Sequence, residues 1–122
     1  MSLVLIAIVD DEEPVRDATK RLVRSMGYHA STFASADEFL KSEQIQDTSC
    51  LITDVQMPGL SGIDLQEHLV ARGHCIPIIF MTGYPSDSVR ARAMKAGAVC
   101  FLNKPFREDH FIGCIERALK AA

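Results

Sequence analysis

Five apolar runs alternate with five segments of helical periodicity along this chain. The runs are LVLIAIV (3–9), YHASTF (28–33), CLIT (50–53), PIIFMT (77–82) and VCFLN (99–103). The first, third, fourth and fifth are nearly continuous in apolar residues, the pattern of parallel strands covered on both faces. The second alternates with polar residues and predicts an edge strand. Between the runs, Val15, Ala18, Leu22 and Met26 repeat at helical spacing behind Pro14, a residue suited to a first turn, and Gly27 ends the pattern. Ser35-Ala36-Asp37-Glu38 has the form of a capping box opening a second helix around Phe39 and Leu40. Ile63, Leu65, Leu69 and Val70 mark a third helix ending near Gly73. Val89, Ala93 and Ala96 mark a fourth ending at Gly97, and Ile112, Ile115 and Leu119 mark a fifth. The alternation βαβαβαβαβα predicts an α/β fold, a doubly wound parallel sheet with helices on both faces and right-handed crossovers.

The length of 122 residues suits one domain, residues 1–122, that buries enough surface to need neither disulfides nor a structural metal. Hydrophobic residues make up 48% and charged residues 24%, as in ordinary soluble domains. No apolar run reaches the roughly 20 residues of a membrane span. No signal peptide is visible, because LVLIAIV follows Met-Ser without a basic segment or a cleavage site. Cys50, Cys75, Cys100 and Cys114 show no zinc spacing; Cys50 and Cys100 read as small core residues, and a reducing cytoplasm is the simplest setting. A net charge of −3 argues against nucleic-acid binding by this chain itself.

Polar groups gather where strands end. Asp10 and Asp11 follow the first strand, Asp54 the third, Thr82 the fourth and Lys104 the fifth. Open α/β sheets bind ligands beyond the carboxyl ends of their strands, where the strand order reverses; for the flavodoxin-like order 2-1-3-4-5 that point lies between strands 1 and 3. Three aspartates would meet there. Like charges about 4 Å apart repel by about 4 kcal/mol at an effective dielectric of ~20, so such crowding calls for a cation. Carboxylates with room for water suit Mg²⁺, or Mn²⁺ in its place. A metal, a hydroxyl and an ammonium around one nucleophilic carboxylate make a phosphoryl-transfer site.

VDDE, DVQMPGLSG, FMTG and FLNKPF, in this order at strand ends, resemble the signature blocks of two-component response-regulator receiver domains with the CheY-like fold. The resemblance covers essentially the whole chain. STFASADEFL and MPGLSGIDLQEHL look most like the FixJ-like branch, whose receivers usually precede a LuxR-type DNA-binding domain. The resemblance implies that Asp54 is the phosphoacceptor. It implies that Asp11, Asp54 and the backbone carbonyl of Gln56 hold Mg²⁺, with Asp10 acting partly through water. Thr82 and Lys104 would bind the phosphoryl oxygens, Phe101 would be the switch aromatic, and Lys104-Pro105 would be a cis peptide. Gln56 and Tyr84 would tune hydrolysis of the phosphoryl group. The implied partner is a sensor histidine kinase.

Each of these residues also has an ordinary reading when taken alone. Asp10 and Asp11 could cap a helix, Asp54 could start a turn, Thr82 could be a β-branched strand residue, Lys104 a solvated lysine and Phe101 plain core. Their convergence at four strand ends favours the site. His29, His68, His74 and His110 share no metal spacing and read as surface or edge residues. A haloacid-dehalogenase-like phosphotransferase would need a cap domain, for which no residues remain. An FMN binder would need a phosphate loop where this chain has the acidic run DDEE. The function expected is therefore a signalling receiver that catalyses only its own phosphorylation and dephosphorylation. Its fourth helix looks weakly anchored, and the surface of helix 4, strand 5 and helix 5 is the expected site of a phosphorylation-dependent homodimer. The alternative is a stand-alone receiver that docks on another protein.

Overall fold

The computed structural model describes residues 3–121. Five parallel strands form one sheet: β1 (Leu5–Val9), β2 (His29–Phe33), β3 (Cys50–Asp54), β4 (Ile78–Thr82) and β5 (Cys100–Asn103). Their order is β2-β1-β3-β4-β5, the flavodoxin-like order expected, with β2 at one edge. The α-helices are α1 (Glu13–Ser25), α2 (Ala36–Leu40), α3 (Gly62–Ala71), α4 (Asp87–Lys95) and α5 (Glu108–Ala121). A short 3-10 turn at Ile45–Asp47, not visible in the periodicity, precedes β3.

Successive strand residues point to opposite faces, so the two-residue period divides the core in two. Ile6, Ile8, Ile52, Ile79 and Met81 pack with Val23 of α1 and Phe111, Ile115 and Ala118 of α5. Ala7, Val9, Leu51 and Phe80 pack with Phe39 of α2, Leu65 and Leu69 of α3 and Ala93 of α4. Both faces of the central strands are dry, which explains their unbroken apolar runs. Cys50, Cys100 and Cys114 are buried free thiols in the first layer. Burial pushes Cys50 up to about 12, and burial with the neighbouring Cys114 does the same for Cys100.

Most periodic residues face the core as expected, Leu22 of α1 and its C-cap Met26, Ile63, Leu65 and Leu69 of α3 and Val89 and Ala93 of α4 among them, but single positions differ on three helices. On α1, Thr19 and Val23 are buried, and Val15, Ala18 and Leu22, with Thr19 at its floor, line an open cleft of about 510 Å³ beside Pro105 and Phe106. Thr19 can enter the core because its hydroxyl donates to the Val15 carbonyl at 2.8 Å. On α3, Gln66 is buried and Val70 is exposed. On α4, Ala96 is the exposed C-cap and Ala93 alone is fully buried.

Capping also differs in detail. Ser35 Oγ accepts the Glu38 N–H at 3.1 Å, but the complete reciprocal box opens α3. There Ser61 Oγ accepts the Asp64 N–H and the Ser61 N–H donates to the Asp64 carboxylate, both at 3.0 Å. Ser61→Ala should cost about 1 kcal/mol, measured by urea unfolding. The backbone and hydroxyl of Ser61 hold Asp64 below its ordinary value of 3.8. A carboxyl lowered in the folded state stabilises fully above its unfolded value and loses that contribution as pH falls through the folded value. The stability gap between the wild type and Asp64→Asn should therefore be wider at neutral pH than at about pH 2.

Candidate functional site

β1 and β3 are neighbours, and their register pairs Val9 with Thr53. Asp10 and Asp54, each one residue further on, therefore emerge side by side at the point where the strand order reverses. Asp10 keeps its N–H in the sheet by donating to the Phe33 carbonyl at 3.1 Å. Its Oδ1 accepts the Glu12 N–H at 2.9 Å, and its own carbonyl accepts Arg16 Nη1 at 2.7 Å. These bonds fold the chain sharply into α1. Asp54 ends β3 with Oδ1 accepting the Gln56 N–H at 3.3 Å.

Lys104 follows β5, two strands away, a lateral distance of roughly 10 Å that its long stem covers. Its Nζ lies 3.0 Å from Asp10 Oδ2 and 3.0 Å from Asp54 Oδ2, with Glu12 Oε1 at 3.6 Å. The Asp10 side chain is 0% exposed and that of Asp54 7%. Burial pushes the Asp54 carboxyl up, and its bond to Lys104 offsets this only in part. Burial pulls the Lys104 ammonium down, but hydrogen bonds and charge from Asp54 and Asp10 outweigh it and leave it raised. The Lys104–Pro105 bond is cis.

Oxygen atoms of Asp10, Glu12 and Asp54 lie within 4.8 Å of one another, among the described residues the one such acidic group able to hold a metal. The donor set is three carboxylates, the hard-oxygen chemistry that a divalent cation requires. Asp11 differs from its expected place. It is exposed and stands outside the group, which is made by the buried Asp10 and Asp54 with the exposed Glu12. The bond from the Glu12 N–H to Asp10 Oδ1 holds Glu12 where its carboxylate reaches the cluster. Glu12 was not singled out in the sequence as a metal-site residue; its only signal was membership of the acidic run.

The remaining candidates lie on or beside β3, β4 and β5. Thr82 ends β4, is buried, and accepts the Tyr84 N–H on Oγ1 at 3.0 Å. Its backbone carbonyl accepts the Lys104 N–H at 2.7 Å, which joins the ends of β4 and β5. Phe101 faces the α4 layer, half-buried, 6.1 Å from the Phe80 ring. Gln56 and Tyr84 are both exposed, Tyr84 at 74%.

Residues 6–116 match the family model described as the response regulator receiver domain. The response regulator protein TodT of Pseudomonas putida is 45% identical over 118 residues, covering 97% of this chain and 52% of that protein. The transcriptional regulatory protein FixJ of Bradyrhizobium diazoefficiens is 38% identical over 117 residues, covering 96% of this chain and 57% of that protein. The chain thus spans about half the length of the curated relatives it matches. Among solved structures, that of FixJ-N superposes with a TM-score of 0.88 at 37% identity, covering 100% of this chain and 98% of that one. The response regulator StyR gives 0.91 at 41% identity, covering 98% and 61%.

Proposed function

The chain belongs to the response regulator receiver family, and on that premise we propose that Asp54 accepts a phosphoryl group from a sensor histidine kinase. The observation that carries this is Lys104 Nζ held at 3.0 Å from both Asp10 and Asp54 across four strand ends. An oxygen of Asp54 attacks phosphorus, the bond from phosphorus to the histidine nitrogen breaks, and the imidazole leaves with its electron pair. Lys104 then exchanges a carboxylate oxygen for a phosphoryl oxygen, and the Thr82 hydroxyl donates to another. Asp10, Glu12 and Asp54 would hold Mg²⁺ or Mn²⁺, with Asp11 and the Gln56 carbonyl as the further ligands the family implies. The cation would supply neutralisation of charge on the phosphoryl oxygens. Gln56 and Tyr84 flank the group and set how readily water reaches it.

Incubation with acetyl phosphate and Mg²⁺ should add one phosphoryl group, seen by intact-mass measurement, and Asp54→Ala should abolish it. Equal phosphorylation of that variant at another residue would overturn the assignment.

The domain, residues 1–122, would act in the cytoplasm as the input half of a longer regulator. The relatives' printed names favour control of transcription. Drawing Thr82 inward leaves room for the Phe101 ring, which repacks α4, β5 and α5. This face carries Arg90, Arg92 and Lys95 against Glu108, Asp109 and Glu116, both signs on one patch, which a twofold dimer permits. Arg92 already pairs with Glu67 of α3, so Arg90 and Lys95 are the basic residues left for a partner copy. Exposed pairs are worth about 0–1 kcal/mol each and set register more than affinity. Sedimentation with beryllofluoride, a phosphoryl mimic, should show a dimer. A monomer with and without it would point to docking on another protein.

A further inference from the structure

α4 is held unevenly. Ala93 is its single fully buried residue, and Val89 is only half-buried. At the N-terminal end, Ser86 Oγ accepts the Val89 N–H at a long 3.4 Å. That end continues directly from the Thr82–Tyr84 segment beside the site. The C-terminal end is closed differently. The Gly97 N–H donates to the Met94 carbonyl and the Ala98 N–H to the Ala93 carbonyl, both at 3.1 Å. Gly97 has φ +106°, so this is a Schellman close. A residue from another helix completes it. Gln66 of α3, 2% exposed, donates from Nε2 to the same Ala93 carbonyl at 3.1 Å. The neighbouring Glu67 pairs with Arg92.

The amide orientation follows from the acceptor, since a flipped side chain would set Oε1 against the Ala93 carbonyl oxygen. The orientation leaves Gln66 Oε1 buried without a hydrogen-bond partner. An apolar side chain at this position would avoid that orphaned oxygen. What the amide adds is the bond to Ala93.

We propose that Gln66 is a positioning residue that clamps the C-terminal end of α4 to α3, so that α4 moves by swinging its N-terminal end. The clamp belongs to the resting protein and holds whether or not Asp54 is the phosphoacceptor.

Amide hydrogen exchange on the full chain tests it. Gln66→Leu should speed exchange at Gly97 and Ala98 roughly fivefold relative to β4, the effect of losing one hydrogen bond, and leave Ile79–Met81 unchanged. Glu67→Ala, which removes only the surface pair, should change the same amides by less than about twofold. With Mg²⁺ and beryllofluoride, backbone shift changes in the wild type should fade before Gly97, and in Gln66→Leu they should run through it. Because the leucine variant could fail to fold, the wild type gives an independent reading. Its Gln66 side-chain amide protons should exchange slowly and lie close to Ala93. Freely exchanging Gln66 amide protons, or Gly97 and Ala98 amides indifferent to a folded leucine variant, would overturn the proposal.

Discussion

Gly62→Ala should cost about 3 kcal/mol or more and cripple the site with it. A Cβ at this position would sit 2.2 Å from the Asp54 carbonyl oxygen and 3.1 Å from the Val55 Cα, all backbone. No side-chain rotation relieves such a contact, so α3 must back away from the end of β3. The Gly62 N–H, which donates to the Val55 carbonyl at 2.8 Å, moves with it. The displaced main chain is that of Asp54 itself. Mg²⁺ affinity and phosphoryl uptake should therefore both fall at least tenfold even where the variant remains folded. Gly113→Ala is the contrasting case. It lies in α5 with nothing within 4 Å of the added methyl, and should stabilise by about 0.5–1 kcal/mol. Urea unfolding of the two variants side by side should give opposite signs. Equal effects would show that backbone freedom, not the close approach to Asp54, governs Gly62.

The second large effect is expected at Lys104. Lys104→Met leaves Asp10 and Asp54 buried beside each other without the ammonium that bridges them. Breaking a buried pair from one side costs about 3–5 kcal/mol, and the 14% exposure of Lys104 places this variant near the lower end. The loss should be largest without divalent cation. The ammonium and a cation compete for the same oxygens, so Mg²⁺ should bind the variant more tightly and raise its stability more than that of the wild type. Thermal unfolding with and without millimolar Mg²⁺ measures this difference. Phosphoryl uptake should persist, because the nucleophile and acidic cluster remain, while the change at the α4-β5-α5 face fails. An identical Mg²⁺ response in both proteins would show that Lys104 does not share the cation's site.

Most of the architecture could be read from period alone. Strands covered on both faces cannot hide their runs, and their lengths left little freedom beyond the order of the sheet. The helices were less legible because apolar residues serve clefts as well as cores. Val15 and Ala18 follow the helical spacing yet stay on the rim of an open cleft, whereas Thr19 between them and the next turn is buried. A hydroxyl bonded within its own helix gives no sign of this in sequence. Gln66 was invisible for a similar reason. Its burial depends on an acceptor in α4, 27 residues away. At the site, Asp10, Asp54, Thr82 and Lys104 were legible because each ends a strand, and strand ends are fixed by the sheet. The next residues along were not. Whether Asp11 or Glu12 turns back toward Asp54 depends on a turn held by the Asp10 side chain and Arg16, which no spacing rule encodes.

The buried cysteines also make this chain easy to label. Thiols that burial pushes up to about 12 stay protonated at neutral pH, and the thiolate is the species that alkylates. Cys50 and Cys100 are thus shielded twice, by ionisation and by access, and Cys114 is enclosed with them. Cys75 is exposed in the connection from α3 to β4. It precedes β4, at the opposite end of the parallel sheet from Lys104. A maleimide dye should react there once per chain, giving a fluorescent handle that reports tumbling and self-association at the far end of the sheet from the acidic cluster.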